Sequence, residues 1–390
     1  MSVYWKGAVK SLKTLGIYIH IPFCVQKCNY CDFLSAPATK EQQQRYIEAL
    51  KIEIKQEAPQ YKDYTAETIF FGGGTPSILD AAQLAECIAV LYEYFSFAKN
   101  TEITVETNPG TATRQKLAAL RSAGVNRLSI GVQSANNQEL KMLGRIHTYQ
   151  DFLQTYQWAR VVGFTNINID LISALPGQTL ATWSDTLKKV TQLSPEHISA
   201  YSLMIEEGTP LYQQQEAYPP LPSEDEDRQI YQQTKHILAE CGYHRYEISN
   251  YAETGYECRH NKIYWQRGIY HTADFIGFGL GASSTVAGKR WNNTTNFTQY
   301  LTNPVHENIE QLTIYDQMEE FIFLGLRMTS GISKQEFFDT FHQDIETIYK
   351  PILDKWTAQK MLTQTKESIQ LTDAGMDVSN VILADFLHSS

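Results

Sequence analysis

The stretch "GIYIHIPFCVQKCNYCDF", residues 16–33, joins an apolar, β-branched run to a crowd of thiols. Gly16 to Ile21 predict a buried strand. The loop behind it sets Cys24, Cys28 and Cys31 within eight residues, whereas Cys87, Cys241 and Cys258 lie far apart. In parallel β/α barrels the loops that follow the strands converge on the active face, so this order already points the thiols at a site.

Outward from that strand the same kind of run recurs at 67–73, 102–108, 127–134, 166–175 and 197–205. Segments of helical period separate them at 40–57, 80–95, 111–122, 149–162 and 179–192, most beginning beside a capping residue, Asp80, Thr111 or Thr179. Six strands alternating with five helical segments predict an α/β fold, a partial (β/α)6 TIM-like barrel. Polar or glycine residues gather at the strands' C-terminal ends: "GGGT" at 72–75, Glu106, Gln133, Asp170 and Tyr201. A carboxylate inside "INIDLI" is costly to bury without a partner, so Asp170 is hard to dismiss as an ordinary strand residue.

Composition narrows the setting. A chain of 390 residues with 43% hydrophobic content can bury one large core and carry a smaller module. No apolar run approaches the roughly 18 residues of a membrane span, and the N-terminus lacks the apolar core of a signal peptide. The expected location is the cytoplasm, where clustered cysteines serve as metal ligands or redox groups rather than disulfides. The formal net charge of -10 argues against a nucleic-acid partner.

A C-x3-C-x2-C loop can hold three irons of a four-iron, four-sulfur (4Fe-4S) cluster and leave the fourth open. Structural zinc usually takes four protein ligands, and no fourth Cys or His follows closely behind Cys31. A redox dithiol needs only "CNYC", which alone is a weak signal.

The cysteine spacing, Tyr30 before the last thiol and "GGGTP" after the second strand resemble the radical S-adenosylmethionine (SAM) family. That resemblance implies that the open iron chelates the amino and carboxylate groups of SAM and that an electron from the cluster cleaves the sulfonium to a 5′-deoxyadenosyl radical. It places Gly73, Gly74 and Thr75 at the methionyl end of SAM, where absence of Cβ permits close approach. "IYIHIPFC" is similar to the branch holding oxygen-independent coproporphyrinogen III oxidases and HemW-like heme chaperones, and that similarity assigns Tyr18, Glu106, Gln133, Arg145 and Asp170 to SAM. Carboxylates and an amide suit the ammonium and ribose hydroxyls, and the Arg145 guanidinium suits a carboxylate.

Within the branch, the oxidases carry a further cysteine two past the third ligand and a longer segment before the cluster. Here that position is Phe33 and only 23 residues precede Cys24. The sequence "HNKIYW" (260–265) matches the HNxxYW motif of HemW-like proteins, which implies His260 as axial heme ligand. The expected organisation is a radical SAM barrel over 1–215, a barrel extension over 216–305 and a mostly helical C-terminal domain over 306–390, resembling that of the same branch. The last segment also resembles a winged helix but has no basic stripe. The expected function is a heme chaperone acting within porphyrin metabolism. Its expected cofactors are a 4Fe-4S cluster, SAM and heme, and its expected partners are a cluster-reducing electron donor and a heme-accepting, respiratory protein. Membrane contact, where any occurs, is expected to be peripheral and through that acceptor. The alternatives are an enzyme of the coproporphyrinogen oxidase type and a non-catalytic heme store or sensor.

Overall fold

Lys13–Ile21 (β1) is covered on both faces because its alternate residues serve two different interiors. Ile17, Ile19 and Ile21 are fully buried under helices, while Tyr18 and His20 turn to the barrel axis. The structure, a computed structural model, describes residues 13–266 and 274–387. Tyr64–Gly73 (β2), Ser96–Thr107 (β3), Arg127–Gln133 (β4), Ile167–Ser173 (β5) and His197–Ser202 (β6) follow, each parallel to the one before it. Parallel neighbours need helix-length crossovers. These are Lys40–Glu57 (α1), Ala81–Tyr94 (α2), Arg114–Ser122 (α3), Asn137–Met142 (α4) with Tyr149–Val161 (α5), and Leu180–Thr191 (α6). The predicted partial barrel is present, with the short α4 as an addition that sequence periodicity did not reveal. Asp80 and Thr179 are N-caps as expected, but α3 is capped by Thr113. Thr111 instead donates its hydroxyl to Asn108 O at 2.7 Å.

Beyond β6 the sheet grows at both edges. Asn250–Ala252 pairs antiparallel with β6. On the other side Phe275–Phe278 lies parallel to β1, so the glycine-rich "FIGFGLGASS" opens with a seventh parallel strand. Its glycines are close-approach positions: a Cβ at Gly277 would sit 2.4 Å from Ser283 O. Ser283–Val286, Lys289–Asn293 and His306–Gln311 extend that edge as antiparallel strands. The boundary expected at 305/306 is therefore displaced, since residues 306–311 hydrogen-bond to the large sheet. A separate core begins at Met318 and gathers Phe321, Phe337, Ile345, Leu353 and Trp356, with a three-stranded sheet beside the helices.

One buried carboxylate ties the extension to the barrel. Glu53 of α1, 3% exposed, accepts from Gly279 N at 3.0 Å, Asn293 Nδ2 at 2.5 Å and Tyr300 OH at 2.5 Å. Burial outweighs these donors and pushes its pKa up to about 7. Between pH 4.5, the ordinary value, and 7 the folded state thus holds a proton that the unfolded state has released. Stability from this group is present below pH 4.5 and declines as pH rises through 7, by up to about 1.4 kcal/mol per pH unit. Urea unfolding across that window should show the slope, and Glu53→Gln should flatten it.

Candidate functional site

The strands sort their side chains by chemistry. Ile69, Ile103, Val105, Leu128, Ile130, Ile169 and Leu171 pack outward beneath the helices, and the intervening residues line the axis. At the C-terminal ends of the strands this interior opens into a cavity of about 360 Å³ walled by Cys24, Cys28, Cys31, Gly73, Gly74, Thr75, Glu106, Gln133, Arg145 and Asp170. That volume lies within the roughly 300–1,000 Å³ usual for small-molecule sites. Ten of the twelve expected site residues therefore share one cavity.

The cysteine loop is held by its own backbone and by Asn29. Asn29 N donates to Leu143 O at 3.0 Å, its Nδ2 to Met142 O at 2.9 Å, and its carbonyl accepts from Leu211 N at 2.8 Å. The three thiols are free and half-buried. Cys24 Sγ lies 3.4 Å from Thr75 Oγ1 and Cys28 Sγ 3.5 Å from Arg145 Nη1. Burial raises the Cys31 thiol to about 11, so iron would have to displace its proton. Among the described residues no three His, Cys, Asp or Glu groups converge as a single metal ion requires. A cluster places irons and sulfides between the thiols, which then need not meet at a point, and this donor set suits it.

The glycine turn packs against that loop. Gly74 N donates to Ile21 O at 2.9 Å and Thr75 N to Phe23 O at 2.7 Å. Gly73, at φ +106°, leaves a Cβ position only 2.4 Å from the His20 ring. Gly73 N donates to Glu106 Oε2 at 3.2 Å. With these N–H groups spent within the protein, what the turn has for an ammonium is acceptors, its carbonyl oxygens and the Thr75 hydroxyl.

Two carboxylates sit across from the loop in different states of satisfaction. Asp170 accepts from Ser129 Oγ and Asn168 Nδ2, both at 2.8 Å; burial still raises its pKa. Among the described residues Glu106 accepts a hydrogen bond from the Gly73 amide alone. It is half-buried by surface area but faces an enclosed cavity, where its charge is poorly hydrated. Burial first, and the Asp170 charge second, push its pKa up to about 8. Gln133 sits at a bulge of β4 with φ +74°, an uncommon conformation for a residue with a Cβ and one that tends to mark functional positions.

Arg145 is less free than its type suggests. Nη2 donates to Gly131 O at 2.6 Å and Asn108 Oδ1 at 2.7 Å, and Nη1 to Cys28 Sγ, leaving Nε enclosed without a partner. It braces the cysteine loop against β4. Asn108 is a site residue that the sequence reading missed; its Nδ2 donates to Thr75 Oγ1 at 2.7 Å and its Oδ1 receives Arg145. The signal was available in "VETNP", where Asn108 directly follows the strand.

Tyr18 and His260 lie elsewhere. Both border a second cavity deeper in the barrel and are absent from the wall of the upper one. The helix Arg259–Trp265 closes the far end of the barrel, its N-terminus capped by Glu102 of β3, which accepts from Arg259 N and His260 N at 3.1 Å each. His260 is 0% exposed. Its Nδ1 is 2.7 Å from Thr68 Oγ1, its Nε2 is 2.8 Å from Tyr264 OH, and its ring stacks on Phe70 at 5.1 Å. Burial and the nearby Arg127 charge drive its pKa down to about 3, so the ring is neutral. In this geometry both ring nitrogens of His260 are engaged, so a bond to heme iron would have to displace Thr68 or Tyr264.

The Radical SAM superfamily model matches residues 18–190, and the HemN C-terminal domain model matches 312–378. The coproporphyrinogen III oxidase HemN of Escherichia coli, a radical SAM enzyme, superposes with a TM-score of 0.84 at 25% identity, over 97% of this chain and 91% of that one. Barrel, thiol loop and these matches define a radical SAM protein. The heme chaperone HemW of Lactococcus lactis is 37% identical over 96% of this chain and 98% of its own length. For HemW of Bacillus subtilis the identity is 33%, over 95% and 98%, and for that of Escherichia coli 35%, over 96% and 99%. The chain belongs to the HemW family.

Proposed function

We propose that the protein is a heme chaperone, binding heme and passing it to an acceptor hemoprotein. The observation that carries this reading is the end-to-end likeness to curated HemW proteins, small C-terminal unit included. Phe33, 63% exposed on the wall of the upper cavity, supports it as well, since the oxidase pattern has a thiol there. Cys24, Cys28 and Cys31 would hold the 4Fe-4S cluster. SAM would lie in the upper cavity, with Glu106, Asp170 and Gln133 toward its ammonium and ribose hydroxyls and the turn at Gly73, Gly74 and Thr75 toward its methionyl end. Arg145 would fix the loop beside it. When bound, the reduced cluster supplies the electron that radical SAM chemistry spends on the sulfonium. The acceptor is a hemoprotein, respiratory on the reading made here, and no described helix is long and apolar enough to cross a membrane.

The test is anaerobic reconstitution of the cluster, titration with heme by absorbance, and transfer from the loaded protein to an apo-hemoprotein. The likeness to HemN favours one rival, porphyrinogen decarboxylation. Incubation with reductant, SAM and coproporphyrinogen III separates the two, since formation of protoporphyrinogen would overturn the chaperone reading. His260→Ala should lower unfolding stability by about 2–4 kcal/mol, because Thr68 and Tyr264 lose their buried partner and a cavity opens. In the folded variant the heme absorption maximum should stay where it is in the parent. A shift in that maximum would instead support the axial role of His260.

A further inference from the structure

The deeper cavity holds an arginine that no established role uses. It measures about 200 Å³ and shares Glu106, Ser129, Asp170 and Tyr201 with the upper cavity, so the two are stacked along the barrel. Arg127, the first residue of β4, lies on its wall and is 1% exposed. Among the described residues its guanidinium makes no ion pair, and Nε and Nη2 are enclosed with no hydrogen-bond partner. Leaving buried charged donors unfilled costs more than an ordinary hydrogen bond returns.

The neighbouring carboxylates do not fill them. Asp170 is engaged by Ser129 and Asn168, and Glu102 by the amides that begin the Arg259–Trp265 helix. What remains is a planar set of N–H donors on the wall of a small chamber that Asn261 also lines. Rings line the chamber too: Tyr18 stacks on Phe70 at 6.3 Å and on His260 at 6.5 Å. Aromatic rings and a guanidinium lining one small chamber fit a short methylene chain that ends in a carboxylate, which accepts two parallel N–H bonds from arginine. The volume falls below the roughly 300 Å³ at which sites for whole drug-sized ligands begin, so the chamber admits an arm or a small acid and not a macrocycle.

We propose that Arg127 anchors a carboxylate subsite at the inner end of the barrel, filled either by a propionate arm of the porphyrin or by a free small carboxylate. The first source rests on the heme-carrier reading above; the second does not. In either case the ligand enters through the upper cavity, so a carboxylate in place is covered when SAM follows.

The experiment uses the full chain with its cluster reconstituted. Heme and heme dimethyl ester are titrated by absorbance, and sodium propionate by its effect on the unfolding midpoint, in the parent and in Arg127→Met. For a porphyrin arm, the parent binds heme at least about tenfold more tightly than the ester, the worth of a charged hydrogen bond, and Arg127→Met brings that ratio to about one with ester affinity unchanged. For a free acid, the ester binds like heme, while propionate raises the midpoint of the parent and not that of the variant. An acid-to-ester ratio equal in both proteins, together with no Arg127-dependent propionate shift, overturns the subsite. If neither porphyrin binds at all, the heme reading fails and the propionate arm still decides this one. Should Arg127→Met not fold, Arg127→Lys keeps the charge without the paired donors and is expected to retain only part of the discrimination. A ratio unchanged by lysine counts against the proposal.

Discussion

Alanine in place of Cys24, Cys28 or Cys31 is expected to give a folded protein without a cluster: iron and sulfide at background and no charge-transfer absorbance after anaerobic reconstitution. The loop's conformation does not depend on its thiols. It is pinned by Cys24 N to Ala36 O at 3.2 Å and by the bonds of Asn29 to Leu143, Met142 and Leu211. Each thiol is half-buried, with one long contact at most to Thr75 or Arg145. Loss of the side chain should therefore shift unfolding free energy by no more than about 0.5 kcal/mol, as for ordinary surface changes. SAM should bind roughly a hundredfold more weakly, because two chelating contacts worth about 1.5 kcal/mol each disappear. Equal loss in all three variants supports the assignment. Full iron content in any one of them would remove that cysteine from the ligand set. Asn29→Ala should do the reverse, leaving the ligands in place but loosening the loop, with iron bound and lost more quickly.

How much of this was readable beforehand depends on the range of the interactions involved. The strands and most helices follow from periodicity within a few residues, and the polar strand ends fall in line because parallel strands in sequence order bring them to one face. Asp170 was legible as a lone carboxylate in "INIDLI". His260 was not, since its surroundings come from Thr68 and Phe70, about 190 residues earlier, and from Tyr264 one helical turn on. Motif similarity named the residue while the fold turned it inward. Arg127 was hidden for a related reason: the first residue of a strand reads as a surface cation until the helix Arg259–Trp265 is seen to close the barrel beneath it. The antiparallel strands at 283–311 carry many polar residues on their exposed face, and His306–Gln311 reads "HENIEQ", which has no apolar alternation to announce it.

The affinity for SAM is expected to rise with pH up to about 8 and then level off. Glu106 sits in an enclosed cavity beside Asp170 and holds its proton to about that pH in the free protein. A cationic ligand favours the ionised form, so binding below pH 8 must first expel the proton. Each unit below it costs about tenfold in affinity, or about 1.4 kcal/mol, and between pH 6 and 8 the gain should be roughly fiftyfold. Calorimetry in buffers of different ionisation enthalpy should register close to one proton released at pH 7. The protein without SAM follows the opposite trend. Folding raises the Glu106 pKa from the ordinary 4.5, so the stability this group contributes is complete below 4.5 and is lost as pH climbs through 8. Bound SAM should cancel that decline by pairing the charge. Glu106→Gln separates the protein's titration from the ligand's own, because glutamine keeps the acceptor oxygen and removes the proton equilibrium. Its SAM affinity should be weak and nearly flat with pH. If the slope survives in Glu106→Gln, the titrating group is elsewhere, and Asp170, whose pKa burial also raises, becomes the residue to replace.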